Sequence, residues 1–166
     1  AYFSTLEDVS MDEEDLSLSI KGQFYCFYYL NNPISTIKYA KKILQLSNIN
    51  KKLKEDSYLY LAKSYQSVNQ LDSAIIYYDS IMYFTKSIAA AESKYHICEI
   101  AYERKNYELC ESLIMELVQQ KPSYDYWLAK GILLLGDNFT SQNDYFNAKH
   151  SVESIIENYD GFNKKE

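Results

Sequence analysis

The stretch YWLAKGILLLGDNFTSQNDYFNAKHSVESIIENYD, residues 126–160, decides the fold. It opens on Trp127 and Leu128, runs through the apolar block Ile132 to Leu135 to Gly136 and Phe139, and breaks at the polar Ser141-Gln142-Asn143-Asp144. A second amphipathic run follows, with Tyr145, Ala148, Val152, Ile155 and Ile156 at helical spacing. Two helices joined by a tight turn fit this order. The small residues Gly136 and Ala148 then face each other where the helices come closest, and Phe139 and Tyr145 flank the turn.

Working outward, the same unit recurs. The residues equivalent to Ala148 are Thr36, Ala74 and Cys110, so the four stand at intervals of 38, 36 and 38. Four residues later come Ala40, Tyr78, Ile114 and Val152, and three later again Ile43, Ile81, Leu117 and Ile155. The first helices carry matching faces: Tyr58, Leu61, Ala62 and Tyr65 in the second unit, and Ile97, Cys98 and Ala101 in the third. Polar breaks fall at Asn31-Asn32-Pro33, Asn69-Gln70 and Lys105-Asn106, and Pro33 suits the first turn of a helix because its missing N–H is not needed there. The first unit is the least regular. Phe24 stands in the column of Ala62, Cys98 and Gly136, and a slip of four residues puts Ala40 in place of Thr36. The expectation is an all-α chain without strands, with helices at 12–31, 34–48, 52–69, 71–84, 87–105, 107–120, 124–142 and 144–159. Residues 1–9 supply the tail of a preceding helix. A helical bundle with chance periodicity is the alternative, and it has no need of three agreeing columns.

The order of a large residue, Leu135-Gly136, an aromatic and the small Ala148 resembles the tetratricopeptide repeat (TPR), with Asp160 where proline is usual. The resemblance covers residues 16–160, as one array over 1–166 with repeats at 12–48, 52–84, 87–120 and 124–160. The Trp127-Leu128-Ala129-Lys130 lead and the Asp144 to Lys149 turn are similar to the C-terminal part of long bacterial TPR proteins, which are often exported to the cell envelope. It implies a TPR-type α-solenoid in which each helix pair buries its apolar face on its neighbour along a right-handed superhelix. It also implies a non-catalytic scaffold that binds a protein or peptide in its concave groove. An architectural spacer or self-association module within a larger protein is the alternative. Natural arrays end in a polar capping helix, for which residues 161–166 (GFNKKE) are too short. An open apolar face, only partly covered by Phe162, and self-association through the terminal repeats are therefore expected. The opening Ala1-Tyr2-Phe3, without Met, reads as a piece of a longer protein.

Composition narrows the function classes. Four Gly and two Pro leave little punctuation for an all-β fold, and 18 Tyr with 7 Phe is an aromatic load that must largely pack between helices. A net charge of −6 opposes nucleic acid, since phosphate binding needs clustered Lys and Arg. No apolar run is long enough to insert into a membrane. The glycines are scattered, so no phosphate-cradling loop exists, and His96 and His150 sit in different units without a metal-ligand spacing. No catalytic, cofactor or metal residues are therefore expected. Cys26, Cys98 and Cys110 form no framework. Cys98 and Cys110 occupy the two small positions of one unit, where either a disulfide, if the protein is exported, or two buried free thiols fit.

The TPR resemblance places the ligand-facing stripe on the first helix of each pair. Carried over, it is Leu18, Lys21, Tyr25, Tyr28 and Tyr29, then Asp56, Leu59, Lys63, Gln66 and Ser67. The later helices give Glu92, Tyr95, Glu99, Tyr102 and Glu103, then Lys130, Leu133, Asp137, Thr140 and Ser141. The Lys and Asn set with which some TPRs clamp a terminal carboxylate is absent. Tyrosines interleaved with carboxylates suit a basic, extended peptide through charge pairing and cation–π contact. The competing reading has the tyrosines packing on the next helix and the acids solvated.

Overall fold

A computed structural model describes residues 13–158 of the chain. Eight helices make up the regular structure of these residues: α1 (Glu13–Tyr29), α2 (Pro33–Leu44), α3 (Lys51–Ser67), α4 (Leu71–Phe84), α5 (Ile88–Glu103), α6 (Tyr107–Gln119), α7 (Asp125–Ser141) and α8 (Tyr145–Asn158). Among the described residues there is no strand. The expected helix tail at 1–9, and Asp160 and Phe162, lie outside them. The largest boundary difference is at α2, expected to reach residue 48. It stops at Leu44 because Gln45 and Leu46 turn their N–H groups to the carbonyls three residues back, tightening the last turn.

Each of the four hairpins turns in the same way. The second residue after the first helix adopts a left-handed backbone: Asn31 (φ 53°), Asn69 (φ 59°), Lys105 (φ 58°) and Asn143 (φ 63°). The next N–H reaches the carbonyl five residues back, from Asn32 to Phe27, Gln70 to Tyr65, Asn106 to Ala101 and Asp144 to Phe139, at 2.9–3.0 Å. That same residue's carbonyl accepts the first bond of the second helix, from Thr36, Ala74, Cys110 and Ala148, at 3.0 Å each. This is the Schellman closure of a helix C-terminus run directly into an N-cap. It fixes the register of the first hairpin with Thr36, not Ala40, in the column of Ala74. Asn32, Asn106 and Asp144 also cap the second helix through their side chains, which accept from Ser35, Leu109 and Asn147.

The chain divides into two compact units, 1–81 and 82–166. In the first, α1 packs on α2 and α2 on α3. Its core contains Phe24, Ala40, Ile43, Leu61, Ala62, Ala74, Tyr78 and Ile81, all fully buried. Phe24 is accommodated in its otherwise small column with its ring 5.6 Å from that of Tyr60. In the second unit α5 packs on α6, α6 on α7 and α7 on α8, and the first helices α5 and α7 also touch. Cys98, Cys110, Ile114, Leu117, Leu134 and Leu135 form its core, with Trp127 and Phe139 against them. Gly136 and Ala148 do come together: a Cβ on Gly136 lies 3.6 Å from the Ala148 carbonyl oxygen.

A further column of small, buried residues runs through the first helices at Ser19, Ser57, Ser93 and Gly131. At Gly131 the cause is visible. A Cβ there comes within 2.9 Å of Leu117 Cδ2 on the preceding helix.

Candidate interaction surface

In the first unit, α1 and α3 bring several of the expected groove residues together. Tyr25 donates its phenol to Asp56 Oδ2 at 2.9 Å, and Lys52 pairs with the same carboxylate at 2.8 Å. The Tyr28 ring lies flat on Tyr60, with centroids 3.6 Å apart and planes 2° from parallel. Burial, reinforced by the bond to Asp56, pushes the Tyr25 phenol up to about 12, and burial also raises Tyr60, which shares a hydrogen bond with Tyr29. Leu59 is buried. Tyr29, 73% exposed, is the tyrosine of this stripe with most of its surface open. With Tyr28, Asn31, Pro33, Lys63 and Ser67 it lines a cleft of about 380 Å³.

In the second unit the stripe residues meet across α5 and α7. Lys130 Nζ stands 4.6 Å from the centre of the Tyr95 ring, 5.5 Å from that of Trp127 and 5.9 Å from that of Tyr126, a cation shared by three rings. The Tyr102 and Ser141 hydroxyls are 3.0 Å apart. Tyr95 is only 6% exposed and packs against Trp127 at 5.5 Å. Its phenol donates to Glu99 Oε1 at 2.6 Å, while His96 Nδ1 lies 2.6 Å from Glu99 Oε2. Glu92 Oε1 stands 3.8 Å from His96 Nε2 on the other side of the ring. Burial alone raises the Glu99 carboxyl, but the hydrogen bonds from His96 and Tyr95 and the charge of Lys130 outweigh it and hold the group below its usual range. Glu99 is therefore an internally committed carboxylate. The acids of the stripe that stand exposed are Glu103 and Asp137, beside the exposed Leu133, Thr140 and Ser141.

Sequence reasoning missed Tyr60 and did not place His96 on this surface; the two share one position just off the five-residue stripe. The signal was present as a column in which both second and third units carry a ring. His150 is exposed on α8, its ring 4.6 Å from Phe146 and its Nδ1 3.7 Å from Glu153.

The three cysteines are free thiols, Cys26 exposed and Cys98 and Cys110 fully buried. Burial pushes Cys98 up to about 12 and Cys110 up to about 11, the reverse of an activated nucleophile. Among the described residues no group of three or more His, Cys, Asp and Glu is placed to hold a metal ion. No described helix is long and apolar enough to cross a membrane. No family model matches this chain, and no curated protein matches it.

Proposed function

We propose that this chain is a helical-repeat scaffold of the tetratricopeptide type that binds a protein segment and carries out no catalysis. The face of α5 and α7 is its recognition surface, and a basic, extended segment is the ligand. The observation that carries this reading is the meeting of stripe residues from successive first helices: Lys130 over Tyr95, and Tyr102 against Ser141. Residues 35 to 39 apart in sequence thus share one surface. The four identical turns support the repeat assignment, since a shared turn and spacing is what a stacked helical repeat requires.

Ligand chemistry follows from which side chains are already committed. Glu92 and Glu99 flank His96 within the protein, and Tyr95 is buried. Glu103 and Asp137 remain to meet charge from outside, with the partly exposed Tyr102 as an apolar platform. Paired carboxylates beside a ring suit Lys or Arg on an extended chain.

Fluorescence anisotropy with a labelled Lys- and Arg-containing peptide tests the reading. Affinity falls as salt rises, because exposed charges are screened. Glu103→Lys weakens binding by roughly tenfold, near 1.4 kcal/mol. An unlabelled acidic peptide does not compete. Binding that is insensitive to both salt and Glu103→Lys would refute the assignment.

A further inference from the structure

We propose that the outer face of the last hairpin, α7 and α8, is a dimer surface on which a second copy of this chain sits about a two-fold axis. The two hairpins of the second unit share one turn and one spacing, so their residues compare directly at an offset of 38. In the α5/α6 hairpin, Tyr95, Cys98, Cys110 and Ile114 are exposed by 6%, 0%, 0% and 0%, in a hairpin whose two helices both pack against α7. Their equivalents on α7/α8 are Leu133, Gly136, Ala148 and Val152, and these line an open cleft of about 450 Å³. Leu133 is 46% and Val152 42% exposed, and Ile156, one turn on, is 73% exposed. Among the described residues the same face is thus filled in one hairpin and open in the next.

The charges around the cleft identify the occupant. Asp137 on α7 and Lys149 on α8 both border it, one acid and one base. Lys149 is well exposed, and its contact with Glu153, at 3.5 Å, is a solvent-facing one. An isologous interface must be complementary to itself, residue i meeting j while j meets i. A two-fold axis through this cleft sets Asp137 of each copy against Lys149 of the other, and closes Leu133, Val152 and Ile156 over one another.

Sedimentation velocity of the full chain, from low micromolar to submillimolar concentration, reads the outcome directly. The expected result is a monomer–dimer equilibrium with no larger species. Val152→Glu combined with Ile156→Glu abolishes the dimer while leaving the far-UV circular dichroism unchanged, since both residues are exposed. Asp137→Lys and Lys149→Asp each weaken the dimer about tenfold, and together restore it to within about threefold, the signature of a direct pair. Asp137 and Leu133 are shared with the peptide-binding face, whereas Glu103 takes no part in the dimer. Glu103→Lys separates the two, weakening the peptide without changing the dimer. A chain monomeric at every concentration leaves the face to a different helix and overturns the proposal. So does a ladder of larger species, a charge pair that fails to rescue, or a dimer dissolved by Leu18→Glu on α1.

Discussion

Two glycines on α7 offer a controlled comparison, because replacing either with alanine changes the helix in the same way and the packing in opposite ways. Both Gly131 and Gly136 lie inside the helix, where alanine is favoured over glycine by about 1 kcal/mol. At Gly136 a Cβ meets Val152 Cγ2 at 3.5 Å, the Ala148 oxygen at 3.6 Å and Ser151 Cβ at 3.8 Å, all ordinary contacts. Gly136→Ala therefore keeps the whole gain. At Gly131 the Cβ meets Leu117 Cδ2 at 2.9 Å and Ile114 Cγ2 at 3.8 Å. Leu117 is only 5% exposed, so this methyl, the end of a flexible side chain, has to shift within the core, at a cost of about 0.5–1.5 kcal/mol. Gly131→Ala is thus near neutral, within about 0.5 kcal/mol either way, and the two variants differ by that cost, roughly 0.5–1.5 kcal/mol. In urea, with a slope of about 2 kcal/mol per molar, Gly136→Ala raises the unfolding midpoint by about 0.5 M and Gly131→Ala leaves it within about 0.25 M of its starting value. The circular dichroism signal of the helices follows the transition. A Gly131→Ala midpoint as high as that of Gly136→Ala would show that α6 and α7 are not packed this closely.

Other perturbations follow from single features of the fold. Lys105 holds a left-handed backbone that three of the four hairpins give to asparagine, so Lys105→Gly stabilises by about 0.5–1 kcal/mol in urea titration, whereas Asn69→Ala destabilises by about 1 kcal/mol. Asn50 caps α3 with a 2.8 Å bond to the Leu53 N–H, while the Asn106 cap on α6 is 3.4 Å long, so Asn50→Ala costs about 1 kcal/mol and more than Asn106→Ala. Thiol alkylation followed by mass measurement labels Cys26 in the native protein and adds Cys98 and Cys110 only on denaturation, without reductant. Alkaline pH weakens the fold. Below pH 9 the buried thiols are protonated whether folded or unfolded, but above it the unfolded chain loses protons first, so stability declines between pH 9 and about 11 to 12. Tyr25 adds to the decline from pH 10 to about 12, and Cys98→Ala reduces the slope that begins at pH 9.

Helix placement was legible because it rests on local chemistry that the sequence states outright. Polar pairs such as Asn69-Gln70 and Lys105-Asn106 break the period, and asparagine tolerates the left-handed turn that closes each hairpin. The core columns were legible for the same reason, with Ile43, Ile81, Leu117 and Ile155 all buried. Val152 departs from its column at 42% exposure, because burial there depends on a neighbouring helix and not on its own spacing. The column of Ser19, Ser57, Ser93 and Gly131 escaped notice because three of its members are serines, which a search for apolar periodicity passes over. Only the approach of Leu117 to Gly131 reveals that bulk, not polarity, is restricted there.

The candidate surface was less legible, because which side chains stay exposed depends on contacts between helices that the local sequence does not state. A stripe of positions can be copied from one repeat to the next, but whether a side chain on it faces a ligand depends on what the next first helix sends back. Tyr25 is long enough to reach Asp56, and Tyr28 finds Tyr60, so both are spent inside the first unit. Tyr29, one residue on, has most of its surface exposed. In the second unit Glu99 is held by Tyr95 and His96 from its own helix, whereas Glu103, four residues later, stands exposed. Two carboxylates one helical turn apart therefore do opposite work, one ordering the wall and the other presenting charge. Glu103→Gln removes charge from the exposed side alone, whereas Glu99→Gln weakens the anchor of Tyr95 and the packing of Trp127 beneath Lys130. Which side chains this surface leaves exposed is thus decided pair by pair, at the level of which neighbour each side chain can reach.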